Sequence, residues 1–250
     1  MAADTPRATT LDRFLDGRLL IEQSARGYRA AIDPVFLAAA VPASAGQSAF
    51  EAGAGTGVAS LCLAKRVPGL IIDALENDAE ALGLLAANIQ RNDESNVVAA
   101  RRGDIFEAED AERFYDLVFS NPPYFERARA TAPADPEKAR AHLLEAGGLE
   151  LWIRAMLRRM KPKGALTLIL PAEALDRALR GLDEQAGALV IFPLWPKTGA
   201  PARRILLEAR KGSGKGLTVA AGLVLHQATG AYTPEAEKIL REGSGLKLSC

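Results

Sequence analysis

A chain of 250 residues with 48% hydrophobic and 25% charged residues has the size and apolar content of one α/β domain with a sizeable core. Its 31 basic and 31 acidic residues cancel, which argues against a protein that coats nucleic acid through bulk charge but leaves room for a local basic face. Two cysteines (Cys62 and Cys250) and two histidines (His142 and His226) offer neither a disulfide framework nor a metal-ligand spacing, so no metal is expected and a reducing cytoplasm suits the chain.

The opening "MAADTPRATTLDRFLDGR" has no apolar signal core, and no run approaches the ~18 apolar residues that span a bilayer. A soluble cytoplasmic protein without a membrane partner is expected. Residues 18–32, "RLLIEQSARGYRAAI", read as two short strands about a turn at Ser24–Gly27. Asp33-Pro34 then opens a helix, with the acid as N-cap and proline at the first helical position. "QSAFEAGAGTG" is a strand running into glycines, followed by the helix "VASLCLAKRV", the strand "LIIDALE", the helix "DAEALGLLAANIQRN" and the strands "NVVAARRGD" and "FYDLVFS". Residues 126–141 form a polar loop. A helix over "LELWIRAMLRRMKPKG" ends at Pro162/Gly164. After it come the strand "ALTLIL", the helix "EALDRALRGLDEQ", and the strands "ALVIFPLW" and "ARRILLEAR". A flexible "KGSGKG" link leads to a last strand, "LTVAAGLVLHQ", and a short helix near "TPEAEKILREG".

Strands alternating with helices imply a mostly parallel sheet covered on both faces. The turn around Lys197–Ala202 is too short for a parallel crossover, so the late pair of strands is an antiparallel hairpin. The expected organisation is a single domain over 1–250. Residues 1–45 would cover a ligand, 46–210 form the core, and 211–250 add a link, a strand and a helix.

Gly53, Gly55 and Gly57 alternate in "FEAGAGTGV", directly after a strand and opening a helix. Glycine allows sharp turns and close approach of a ligand to the main chain. The spacing is neither the G-x-G-x-x-G of dinucleotide binding nor a P-loop. Glu76 ends the next strand, 19 residues past Gly57, near the ~20-residue offset at which an acid meets a ribose diol. Asp104 ends the strand after that, where its carboxylate can accept an exocyclic amine while Ile105 packs on a ring. Glu51, just before the glycines, is placed to meet a cationic ligand group.

In order and spacing, "FEAGAGTG", "LEND" and "GDIF" resemble the cofactor motifs of class I S-adenosylmethionine-dependent methyltransferases. The resemblance implies a Rossmann-like sheet with a late antiparallel hairpin and a short N-terminal β-hairpin. It also implies S-adenosylmethionine as cofactor, contacting Glu51, Gly53, Gly55, Gly57, Glu76, Asn77, Asp104, Ile105 and Asn121.

"LVFSNPPYFERA" then has a setting, at the strand end beside that crevice. The lone pair of an exocyclic amine such as adenine N6 is delocalised into the ring. A site must accept both N–H protons so that the lone pair faces the methyl group. Asn121 Oδ1 can take one and the Pro122 carbonyl the other, and the double proline fixes that arrangement. Tyr124 would stack on the base and Phe125 add a wall, so the catalytic set is Asn121, Pro122 and Tyr124. The Asn-Pro-Pro-Tyr form resembles that of enzymes acting on adenine N6, cytosine N4 or a glutamine amide. The segment "GRLLIEQSARGYRAAIDPVFLAAAVP" resembles bacterial tRNA adenine-N6-methyltransferases, the likeness running over roughly residues 10–245. It implies that Gln23, Tyr28 and Asp33 cover the cofactor or flank the entrance; equally, Gln23 and Tyr28 decorate a hairpin and Asp33 caps a helix. The expected partner is RNA, chiefly tRNA, with Arg127 and Arg203 among the residues meeting it. Two alternatives stay open: a protein-glutamine methyltransferase, disfavoured because no helical domain fits before residue 45, and a methyltransferase-like binding module, disfavoured because Asn121 and the glycines are present.

Overall fold

Strands buried along nearly their whole length need cover on both faces, and helices supply it. The computed structural model describes residues 8–25, 29–107, 113–123 and 148–249. In chain order the elements are β1 (Thr9–Phe14), β2 (Leu19–Ser24), α1 (Asp33–Ala40), β3 (Ser48–Ala52), α2 (Val58–Arg66), β4 (Ile71–Glu76), α3 (Ala79–Arg91), β5 (Val98–Arg102) and β6 (Tyr115–Ser120). They continue with a helix described over residues 148–158, α4, then β7 (Met160–Pro171), α5 (Leu175–Leu182), β8 (Ala186–Trp195), β9 (Arg204–Lys211), β10 (Thr218–Val219), β11 (Leu223–Val224) and α6 (Pro234–Glu242). Among the described residues no helix is long and apolar enough to cross a membrane.

The chain is α/β. Its nine-stranded sheet has the order β10-β8-β9-β7-β6-β3-β4-β5, with β11 also on β8. All its pairings are parallel except those of β9, which runs antiparallel between β7 and β8. Alternating side chains divide the core. Ala49, Leu117, Phe119 and Ile169 face α1, α2 and α3, whereas Phe50, Val118, Leu166 and Leu168 face α4 and α5. From β3 the chain builds outward through β4 to β5, then returns to place β6 on the other side of β3. The reversal makes a switch point between β3 and β6, and open α/β sheets bind ligands outside the strand ends at such a point.

Four local expectations change. The N-terminal hairpin is present, but its turn is at Leu15–Arg18, closed by Gly17 N to Phe14 O at 3.0 Å, and its strands are β1 and β2. β1 pairs with β2, and its residues are exposed or half-buried with Thr10 and Asp12 at inward positions, so it carries no apolar alternation to read. Asp33 is not the N-cap of α1: Ile32 holds that place, its carbonyl accepting the amides of Val35 and Phe36, while the Asp33 carboxylate pairs with Arg204 Nε at 2.8 Å. Helix α4 does not run to Pro162, because β7 already begins at Met160 and takes the proline into an irregular stretch of its pairing with β6. The last strand is broken into β10 and β11, both parallel to β8.

Candidate active site

The turn after β3 is built by glycines with left-handed backbone. Gly55 has φ +55° and Gly57 φ +87°, and they serve different ends. A Cβ on Gly57 would lie 2.3 Å from Leu85 Cδ1 of α3, so this glycine lets helix and loop close up. A Cβ on Gly55 would meet nothing within 4 Å among the described residues, and the position faces the open crevice. Gly55 N donates to Glu76 Oε2 at 2.7 Å, and Glu76 Oε1 accepts the amides of Asn77 and Asp78, both at 2.9 Å. Glu76 thus knits the glycine loop to the end of β4 and the start of α3.

The crevice at the switch point has a volume of about 350 Å³, within the ~300–1,000 Å³ usual for ligand pockets. Of the expected residues, Gln23, Glu51, Gly53, Gly55 and Asn121 line it. Gly57, Glu76, Asn77, Asp104, Ile105 and Pro122 lie outside that lining. Asp104 accepts the Phe106 amide at 2.9 Å at the end of β5, and Ile105 is buried. Arg203 is exposed just before β9, at the same end of the sheet but outside the crevice. Tyr28, Tyr124, Phe125 and Arg127 are outside the described residues.

Gln23 is only 2% exposed and is held on several sides. Its Nε2 donates to Asp12 Oδ2 (2.6 Å) and Ala30 O (3.2 Å), and its Oε1 accepts Ala30 N at 2.8 Å. It braces the hairpin against the segment leading into α1, whose Ala30 and Pro34 form another wall. Glu51 is buried on β3, and Oε2 accepts both Ser60 N (3.0 Å) and Ser60 Oγ (2.5 Å). Burial pushes its carboxyl up to about 8, with repulsion from Glu76 adding to the rise and the Ser60 hydrogen bonds opposing it. Cys62, two residues after Ser60, is buried and free, and burial also raises its thiol, which leaves it unreactive.

Asn121 is carried on the end of β6, and Ser120 fixes that end. Ser120 Oγ donates to Ala52 O at 2.6 Å and accepts Trp152 Nε1 at 3.2 Å, tying β6 to β3 and to α4. The Trp152 ring lies against Gly53 and meets Phe106 edge-on at 5.9 Å. Neither Ser120 nor Trp152 was among the expected site residues, and neither were Ser24, Thr56, Asp78 and Leu84 of the lining. Asp78, the last residue of "LEND" and the N-cap of α3, was itself the signal available for this part of the lining.

This order of parts, a glycine loop after one central strand and an Asn-Pro-Pro turn after its neighbour, is matched by a family described as the methyltransferase small domain over residues 31–171. The chain belongs to that family. Relatives carry the same description of activity: a Yersinia pestis (strain Pestoides F) protein named tRNA1(Val) (adenine(37)-N6)-methyltransferase is 30% identical over 209 residues, covering 81% of this chain and 82% of its own. A Yersinia enterocolitica protein of the same name is 28% identical over 216 residues, covering 81% and 80%. The fold is shared with a protein from Agrobacterium tumefaciens described as a predicted O-methyltransferase. That comparison has a TM-score of 0.73 at 23% identity and covers 87% of this chain and 100% of the other.

The crevice of this methyltransferase fits S-adenosylmethionine as methyl donor. The open face at Gly55 admits a ligand against bare backbone, and Glu51 stands in the wall, where a bound cationic group would draw its buried carboxyl back to the charged form.

Proposed function

We propose that this chain transfers the methyl group of S-adenosylmethionine to the exocyclic N6 of an adenine in tRNA, with the adenine 3′ of the anticodon in valine tRNA as the first candidate. The observation that carries the reading is the placement of Asn121-Pro122 across the β3/β6 switch point from the glycine loop, in a chain whose relatives are named for this activity.

Each residue then has a role in physical terms. Gly53, Gly55 and Gly57 shape the loop that receives the donor, and Glu51 meets its cationic end. Glu76, whose oxygens take the amides of Gly55, Asn77 and Asp78, holds the loop on the ribose side, and Asp104 and Ile105 stand at the end of β5 on the adenine side. When bound, the donor would supply an electrophilic methyl group on a sulfonium, the sulfur keeping the electron pair of the bond it gives up. Asn121 Oδ1 and the Pro122 carbonyl accept the two N–H protons of the target amine and turn its lone pair toward that methyl. One proton leaves the nitrogen for solvent after transfer, so no strong base is needed. Positioning and electrostatics supply the acceleration. Tyr124 stacks on the extruded base with Phe125 beside it, Tyr28, Arg127 and Arg203 meet the RNA, and Gln23 stays in the crevice wall. The setting is the cytoplasm, where tRNA is found.

The test is transfer of labelled methyl from S-adenosylmethionine to unmodified tRNA, with total protein as a parallel acceptor and Asn121→Ala as control. Label recovered as N6-methyladenosine in tRNA and lost in the variant supports the reading. Label in protein moves the substrate to a glutamine amide. Cofactor binding with transfer to neither acceptor overturns the assignment to RNA.

A further inference from the structure

Helix α3 carries two asparagines one turn apart, and both turn away from water. Asn88 is fully buried and Asn92 is 8% exposed. An asparagine amide has a carbonyl acceptor and N–H donors, so it can pair with a peptide group as a neighbouring strand would. Asn92 does so with Leu20: Oδ1 accepts its amide and Nδ2 donates to its carbonyl, both at 2.9 Å. Asn88 does the same with Glu22, at 2.7 and 3.0 Å. The spacing explains the fit, since four helical residues rise about 6 Å and two strand residues about 6.7 Å. The pair acts as a two-rung ladder that docks β2 on α3.

The rungs are not equivalent. Asn92 spends its second Nδ2 contact on Asn88 O, within its own helix, at 2.8 Å. Asn88 directs its second to Thr56 O, 3.0 Å away in the glycine loop. One buried side chain therefore holds two walls of the crevice: the hairpin, which contributes Gln23 and Ser24, and the loop, which contributes Gly53, Gly55 and Thr56. The geometry points to Asn88 as a positioning residue that couples the N-terminal hairpin to the cofactor loop, so that the width of the crevice is set jointly by both. The hairpin is then part of the cofactor-binding apparatus. This rests on the reading of the crevice as the cofactor site.

Asn92 provides the control, because its loss loosens the hairpin without touching the loop. The experiment compares wild type, Asn88→Ala and Asn92→Ala by amide hydrogen exchange and by calorimetric binding of S-adenosylhomocysteine, with thermal stability measured for each. The expected result is faster exchange of 19–24 and 53–57 together in Asn88→Ala, and of 19–24 alone in Asn92→Ala. Affinity should fall about tenfold or more in the first and less than about threefold in the second, a coupling of ordinary size for linked sites. Should Asn88→Ala fail to fold, Asn88→Asp keeps the acceptor for Glu22 N and removes both donors, and the same pattern is expected of it. Equal losses of affinity in the Asn88 and Asn92 variants, or unchanged exchange of 53–57 in the Asn88 variants, would overturn the inference. If wild type binds no S-adenosylhomocysteine, the cofactor reading falls, while the exchange comparison still decides the coupling.

Discussion

Glu51 on β3 and Ser60 on α2 are joined through a single oxygen: Glu51 Oε2 accepts the Ser60 amide at 3.0 Å and the Ser60 hydroxyl at 2.5 Å. The bond locks the first turn of α2 to the strand that ends in the glycine loop. Burial outweighs it and raises the Glu51 carboxyl to about 8. The folded chain therefore holds a proton there that the unfolded chain has released.

Because native Glu51 binds the extra proton between its unfolded value of 4.5 and about 8, stability falls as pH rises through that window, by up to about 1.4 kcal/mol per pH unit from this group. Below 4.5 its contribution is fully present, and above 8 it is gone. Glu51→Gln, neutral at every pH, should flatten the profile. Urea midpoints at pH 5, 6.5 and 8 for both proteins check this; parallel profiles would assign the proton to another group.

Gly57 and Gly55 should separate stability from ligand binding. Gly57→Ala combines a left-handed backbone with a Cβ 2.3 Å from Leu85 Cδ1, and should cost about 3 kcal/mol. Gly55→Ala meets no atom of the described residues within 4 Å, so its cost to the fold is the backbone penalty of about 1 kcal/mol, but its methyl enters the crevice. Thermal melts should rank Gly57→Ala as the more destabilised. S-adenosylmethionine titration should show Gly55→Ala weakened by more than its stability loss accounts for.

Ser120→Ala removes the hydroxyl that joins Ala52 O to Trp152 Nε1 and leaves the indole N–H without that acceptor. The expected loss is about 2 kcal/mol, with kcat falling more than cofactor affinity because the neighbouring Asn121 loses its fixed strand end. Single-turnover methyl transfer alongside equilibrium binding separates the two; a change in affinity alone would place the effect in the loop instead.

Thr167, in the middle of β7, buries an Oγ1 that has no hydrogen-bond partner among the described residues. Thr167→Val keeps the branched shape and removes the stranded hydroxyl, so stability should rise by about 1 kcal/mol. For a chain of this size the melting point should rise roughly 2–4 °C. An unchanged or lower melting point would mean that the hydroxyl is satisfied.

Central strands were the most legible part of the fold. β3 and β6 are apolar runs buried on both faces and flanked by helical periodicity, and that pattern has few alternatives. β1 was not legible, because its inward positions are Thr10, Asp12 and Phe14 while Leu11 faces out, so its burial alternates but its hydrophobicity does not. Asp33 had the chemistry of a helix cap, but Arg204, far along the chain, claimed its carboxylate. Gly55, which lines the crevice, and Glu76, which ties the glycine loop to β4 from outside the lining, both stood out by type and spacing. Asn88 did not. An asparagine inside a helix usually reads as a polar position on the solvent face, and only the docking of β2 reveals that it points inward.

The hairpin is made first and completed late. Leu20 and Glu22 find their partners on Asn92 and Asn88, 72 and 66 residues further along, and a lone two-stranded hairpin is marginal in water. At the ~5–20 residues per second of synthesis, the partners of β2 follow it by roughly 3–14 seconds. During translation the N-terminal segment is thus a waiting half-site. It becomes a wall of the crevice only when α3 has folded and brought Asn88 and Asn92 to it.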